Sequence, residues 1–141
     1  MILLDTNVVS EVMRPAPDTG VLRWLGEQRT ERVHLSVVTI AEIHYSLNLL
    51  TDQPRRRDLR ERFQRFADEG FASRVLDFDR HAAERSGAVL AERRRAGRPI
   101  SVPDAQIAAT ALTNGLRVAT RNTRDFVGVG VDLIDPFAFD R

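Results

Sequence analysis

Asp5, Glu42, Asp104 and Asp125 are acids placed where a carboxylate either caps a helix or serves as a ligand. Asp5 ends the apolar run Met1-Ile2-Leu3-Leu4 and is followed by Thr6 and Asn7. A short apolar run that stops at polar turn-formers reads as a buried parallel strand. In open α/β sheets, ligands gather beyond the carboxyl ends of such strands. Asp5 would sit there, or would simply cap the helix that follows. Glu42 shares one narrow strip of its helix with Thr39 and Ser46, while Val37, Val38, Ile40, Ala41, Ile43, Leu47 and Leu49 cover most of the remaining circumference. A helix apolar nearly all round is expected to be buried, and a carboxylate on it is costly unless something positive meets it. The alternative is that this strip faces solvent. Asp104 opens a helix whose dipole favours an anion, and Ile107, Ala108 and Ala111 on the same side aim it along the core. Capping is again the alternative. Asp125 follows a strand ending at Thr120, and a turn aspartate would look the same.

Each position alone says little, but all of them can reach one edge of a single parallel sheet. Carboxylates within about 4–6 Å repel by around 1–4 kcal/mol per pair at surface-like dielectric. Such a cluster must hold protons or bind a cation. No histidine or cysteine stands beside these acids, so an all-oxygen site suits Mg²⁺ or Mn²⁺. That site implies chemistry at phosphates, with a water activated for in-line displacement. His34, His44 and His81 are scattered and suggest no triad.

The absences narrow the field further. The chain has no cysteine, which excludes disulfides, thiolate metal sites and a Cys nucleophile. All 21 basic residues are arginine. Without lysine there is no Walker A phosphate loop and no Schiff base. Arginine suits bidentate phosphate contacts, so either an RNA partner or a coding bias accounts for it. Arg93, Arg94, Arg95 and Arg98, or Arg55 to Arg57, could follow an RNA backbone or form a solvated helix face. A phosphotransfer domain with Asp5 as acceptor is a poor rival, because Asn7 stands where a second aspartate is wanted.

These residues need a frame, and the chain supplies one. Strands are expected at Met1–Leu4, Arg32–Ser36, Arg74–Phe78, Leu116–Thr120 and Val131–Ile134. Between them fall helices over Val8–Met13, from Asp18, from Ser36 or Thr39 through Leu50, over Arg55–Phe71, over Arg80–Ala96, and from Ser101 to Asn114. Gly97 and Gly115 are stop signals, and Pro54 and Pro103 are starts. Alternation of this kind implies a parallel sheet covered on both faces. Residues 1–141 read as a single α/β domain with no repeat or linker. No apolar run approaches the roughly 20 residues of a membrane span, and no signal peptide is evident. The expected setting is the cytoplasm.

Together, Leu-Leu-Asp5-Thr6-Asn7, Ala41-Glu42-Ile43, Pro103-Asp104-Ala105 and Thr120-Arg-Asn122-Thr-Arg-Asp125-Phe126 resemble a PIN-domain ribonuclease. More closely, the chain is similar to a VapC-type toxin of type II toxin–antitoxin pairs, on the FitB-like branch. The likeness implies a three-layer α/β/α fold with a five-stranded parallel sheet of order 3-2-1-4-5. It implies endoribonuclease activity dependent on Mg²⁺ or Mn²⁺, with Asp5, Glu42 and Asp104 as the principal acids and Asp125 as a more variable fourth. Thr6, Asn7, Thr120 and Asn122 are then supporting polar residues. A homodimer and a small cognate VapB-like antitoxin are implied as partners. Helices around Val21–Leu25 and Leu47–Leu50 are candidate dimer surfaces. The rival reading is a catalytically idle binding module whose acidic crevice captures an arginine of a protein partner.

Overall fold

The computed structural model describes residues 1–140. Its centre is a parallel sheet of β1 (Ile2–Leu4), β2 (Val33–Ser36), β3 (Val75–Leu76), β4 (Arg117–Ala119) and β5 (Leu133–Ile134). The strands lie in the order β3-β2-β1-β4-β5, as the family resemblance implies. β1 pairs with β2 through Ile2–Val33 and with β4 through Leu4–Ala119. The first strand in sequence is therefore the middle strand in space. The chain reverses direction of growth beside it, leaving a crevice between the ends of β1 and β4.

Helices α1 (Thr6–Val12), α2 (Thr19–Glu27), α3 (Val37–Leu49), α4 (Gln53–Phe71), α5 (Arg80–Arg95), α6 (Val102–Asn114) and α7 (Thr123–Phe126) connect the strands. Local chemistry sets most of the starts. Asp18, Ser36, Asp52, Asp79 and Ser101 each accept a backbone N–H at the first turn of the helix they precede. Gly115 ends α6 at φ 67°, a left-handed conformation that glycine adopts without a Cβ penalty.

Side chains of β1 alternate across the sheet. Ile2 and Leu4 join a core with Val8, Val9, Trp24 and Phe63, whereas Leu3 packs on the other face with Ile107, Ala108, Val118 and Phe126. Burial of each such leucine stabilises the fold by about 1.5–3 kcal/mol. The alanines of α6 (Ala105, Ala108, Ala109 and Ala111) are wholly buried, which lets α5 and the sheet approach it closely.

Two expectations need correction. The helix carrying Glu42 was expected to be buried all round, yet α3 buries only Val38, Thr39, Ile43 and Leu47. It packs against α4 and α6 and turns its outer side to solvent, leaving Tyr45 and Leu49 68% and 64% exposed. Asp125, whose alternative reading was a turn aspartate, lies instead in the short helix α7. Among the described residues, no helix is long and apolar enough to cross a membrane.

Candidate active site

Asp5 extends β1 by one residue. Its N–H donates to Ala119 O at 2.9 Å, so it is still held by β4 when α1 begins. Its Oδ1 accepts from Thr6 N at 2.7 Å. Its Oδ2 accepts from Thr120 Oγ1 at 2.7 Å and from Asn7 Nδ2 at 3.1 Å. Asp5 therefore caps α1 and also faces the crevice; the two readings of this residue were not exclusive. Thr6 donates to Glu42 Oε1 at 2.6 Å and lies 3.2 Å from Thr39 Oγ1. This ties the strip of α3 predicted from helical spacing to the end of β1. Asn7 completes the frame: its Nδ2 also reaches Thr120 Oγ1, and its Oδ1 accepts from Arg121 N. Asn122 contributes its backbone N–H, which donates to Thr120 Oγ1 at 3.0 Å.

Asp5, Glu42 and Asp104 line one open cleft of about 470 Å³, with Thr6, Asn7 and Asn122 between them. Ser101, rather than Asp104, caps α6. Asp104 is thus released from the capping role and stays half-buried at the cleft wall. Asp125 is exposed in α7 and lies outside the cleft lining, though near enough to act on Asp104.

Burial pushes the Asp5 carboxyl from 3.8 up to about 6, and the charges of Asp104 and Glu42 add to the rise. Hydrogen bonds from Thr120 and Thr6 work in the opposite direction. Asp104 is also raised, first by burial and then by Asp125 and Glu42, against a hydrogen bond from Ser101. Among the described residues, only carboxylates figure among the charges acting on these two acids. The cluster is therefore an electrostatic sink for a cation.

The PIN domain family profile matches residues 2–131. The chain belongs to the PIN-domain family. Within the family it falls among VapC- and FitB-type proteins. It is 42% identical to plasmid stability protein StbB of Pseudomonas syringae pv. tomato, covering 97% of this chain and 99% of the relative. VapC ribonuclease Y4jK of Sinorhizobium fredii is 38% identical, covering 97% and 98%. Toxin FitB of Neisseria gonorrhoeae is also 38% identical, covering 97% and 99%. The crystal structure of FitAcB from Neisseria gonorrhoeae superposes with a TM-score of 0.90 at 38% identity, covering 98% of this chain and 99% of that one.

This PIN domain also brings residues to the cleft that were not singled out from the sequence: Ser10, Glu11, Arg14 and Arg121. Helical spacing could have found Ser10 and Glu11, which follow Asn7 on one side of α1 at i+3 and i+4; Arg14 lies just past the end of that helix and Arg121 just after β4, and neither carries such a signal.

One predicted RNA-facing arginine is structural instead. Arg93 is buried, and its guanidinium donates to the carbonyls of Arg98 (2.6 Å), Asp125 (2.7 Å) and Val127 (3.1 Å). It lies on the inner side of α5 and pins the end of α7, which bears Asp125, whereas Arg94, Arg95 and Arg98 are exposed. Arg93→Met is expected to leave those carbonyls without their donor and to cost about 2 kcal/mol. A thermal melt should fall by roughly 5 °C for a chain of this size. Arg94→Ala should stay within about 0.5 kcal/mol.

Proposed function

We propose that this PIN domain is a metal-dependent endoribonuclease acting as the toxin of a type II toxin–antitoxin pair, working as one domain over residues 1–141. The observation that carries the reading is the convergence of Asp5, Glu42 and Asp104 on one cleft without a basic side chain hydrogen-bonded to any of them among the described residues. The names of the relatives Y4jK and FitB, a ribonuclease and a toxin, support it.

The donor set fits Mg²⁺ or Mn²⁺, being all oxygen. Among the described residues, no three acidic or histidine side chains stand close enough together to hold an ion between them. An ion here would be held by one or two carboxylates and its own waters, as Mg²⁺ commonly is. Asp5 and Asp104 would hold the ion, with Glu42 alongside and Asp125 completing a second site or orienting the attacking water. When bound, the ion supplies Lewis acidity at the phosphodiester and lowers the pKa of water for in-line attack. The chain's own part is positional. Thr120 and Asn7 hold Oδ2 of Asp5 while the Thr6 backbone holds Oδ1, and the Thr6 hydroxyl fixes one oxygen of Glu42. Catalytic groups held by donors on rigid elements lose little order when substrate arrives.

A VapB-like antitoxin would be the protein partner, and a second copy of the chain would make a homodimer in the cytoplasm. Leu22 on α2 and Leu49 on α3 remain exposed as candidate contact residues. The deciding experiment maps new RNA ends in total cellular RNA treated with partner-free protein. The treatment is run with Mg²⁺ or Mn²⁺ and with chelator, and with the native chain and Asp104→Asn. New ends that require both metal and Asp104 are the expected result. Their absence, from protein shown to be folded, would favour the idle binding module.

A further inference from the structure

Glu11 is a carboxylate with only 7% of its surface exposed, and it lines the same cleft as the acids on the opposite side from α6. Its Oε2 takes a salt bridge from Arg14 at 3.2 Å, and its Oε1 faces Arg121 at 3.9 Å. One buried charge is thus shared between two guanidinium groups, which are themselves 64% and 54% exposed. Arg121 is fixed further: its guanidinium lies over the Phe137 ring at 3.8 Å, and its backbone N–H donates to Asn7. Exposed ion pairs contribute about 0–1 kcal/mol, and burying the acid costs several. Stability alone is therefore a weak reason for this arrangement. What it achieves is position, since two forked donors are held at the rim of an acidic cleft with about one positive charge left over.

We infer that Glu11 aims Arg14 and Arg121 as a phosphate clamp, gripping the RNA backbone next to the phosphodiester presented to Asp5, Glu42 and Asp104. The inference rests on the ribonuclease reading for its substrate. Arginine is suited to the task because its planar fork pairs with two phosphate oxygens and its charge is permanent. The rim then supplies the attraction for a polyanion that the acids on the floor would repel. Arg14 and Arg121 touch the substrate, and Glu11 is the positioning residue that acts through them.

The test measures binding of a labelled single-stranded oligoribonucleotide to the native chain, Arg14→Ala, Arg121→Ala and Arg121→Lys. It is run in chelator across a salt series, alongside steady-state cleavage in Mg²⁺. Each alanine should lower the slope of log affinity against log salt by about 0.7, the share of one phosphate on a single strand. KM should rise several-fold with kcat nearly unchanged, the pattern for a contact made equally in ground and transition states. Arg121→Lys should restore the slope. Arg80→Ala, which removes an exposed charge paired with Glu84 on α5, should change nothing. Arg14 is exposed enough that its variant folds even if Arg121→Ala does not. An unchanged slope in Arg14→Ala and Arg121→Ala would overturn the clamp while native cleavage stands, and would leave these arginines to a protein partner. If the native chain binds RNA but cuts none, the slopes still decide the clamp and only the nuclease reading falls. A native chain that binds no RNA overturns both.

Discussion

Asp104→Asn should slow RNA cleavage on the order of 10²–10³-fold, the loss seen when one group stabilising transition-state charge is removed. In chelator the same variant should melt at a higher temperature than the native chain. Both effects have one cause. Asp104 is half-buried beside Glu42 and Asp125, and its carboxyl is raised by burial and by those charges. Asparagine keeps the shape, removes the charge and leaves the helix cap intact, because Ser101 holds that role. Native and variant chains are compared by single-turnover cleavage in Mg²⁺ and by thermal melts without it. Cleavage near the native rate would remove Asp104 from the proposed site.

The second large effect concerns pH. Asp5 is 4% exposed and its carboxyl lies at about 6 in the folded chain against an ordinary 3.8. A folded value above the unfolded one means that ionisation weakens the fold. The penalty is absent below about pH 4, grows as pH rises to about 6, and is full above it. Its size is about 3 kcal/mol at 1.36 kcal/mol per pH unit. Asp5→Asn abolishes this dependence. It also places an amide where Oδ1 and Oδ2 accept from Thr6, Asn7 and Thr120, which adds a constant cost. The informative quantity is therefore the difference between the two chains as a function of pH. Measured by denaturant unfolding in chelator, it should move by about 3 kcal/mol in the variant's favour between pH 4 and pH 7. Saturating Mg²⁺ should cancel the native chain's loss at pH 7, because it binds the ionised carboxylates of the folded state only. A difference that stays flat with pH would mean that Asp5 is not held in the buried environment described.

Much of the fold was legible because its signals are local. Ser36, Asp18 and Ser101 cap helices from adjacent positions, Gly115 stops one, and Ile2-Leu3-Leu4 has no polar atom to leave exposed. The order of strands was not local; it came from the family likeness and agrees with the observed pairing. The partnership of Asp5 with Thr120 spans 115 residues, and no periodicity encodes it. α3 misled because apolar composition does not distinguish a core from a surface left open: Tyr45 and Leu49 look like core residues and are exposed. α7 has four residues, too few to show a helical period. Arg93 was grouped with its neighbours because a run of arginines hides which member points inward, and only the packing of α5 separates it from Arg94 and Arg95. Glu11 was passed over because an acid beside an arginine on a short helix ordinarily reads as a surface pair.

The central place of β1 also bears on how the cell makes such a protein. The strand that carries Asp5 leaves the ribosome well before the neighbour that holds it, since β4 lies at residues 117–119 and Thr120 comes just after. Until that segment has emerged, β1 has only β2 to pair with, through Ile2 and Leu3, and the Asp5 carboxylate lacks its Thr120 hydroxyl donor. An unfinished chain therefore cannot assemble the cleft, whichever helices it has already formed. Translation itself imposes the delay: whatever chemistry the cleft performs must wait until β4 and Thr120 have been synthesised, and a product that stops short of them carries the acids without the frame that gathers them.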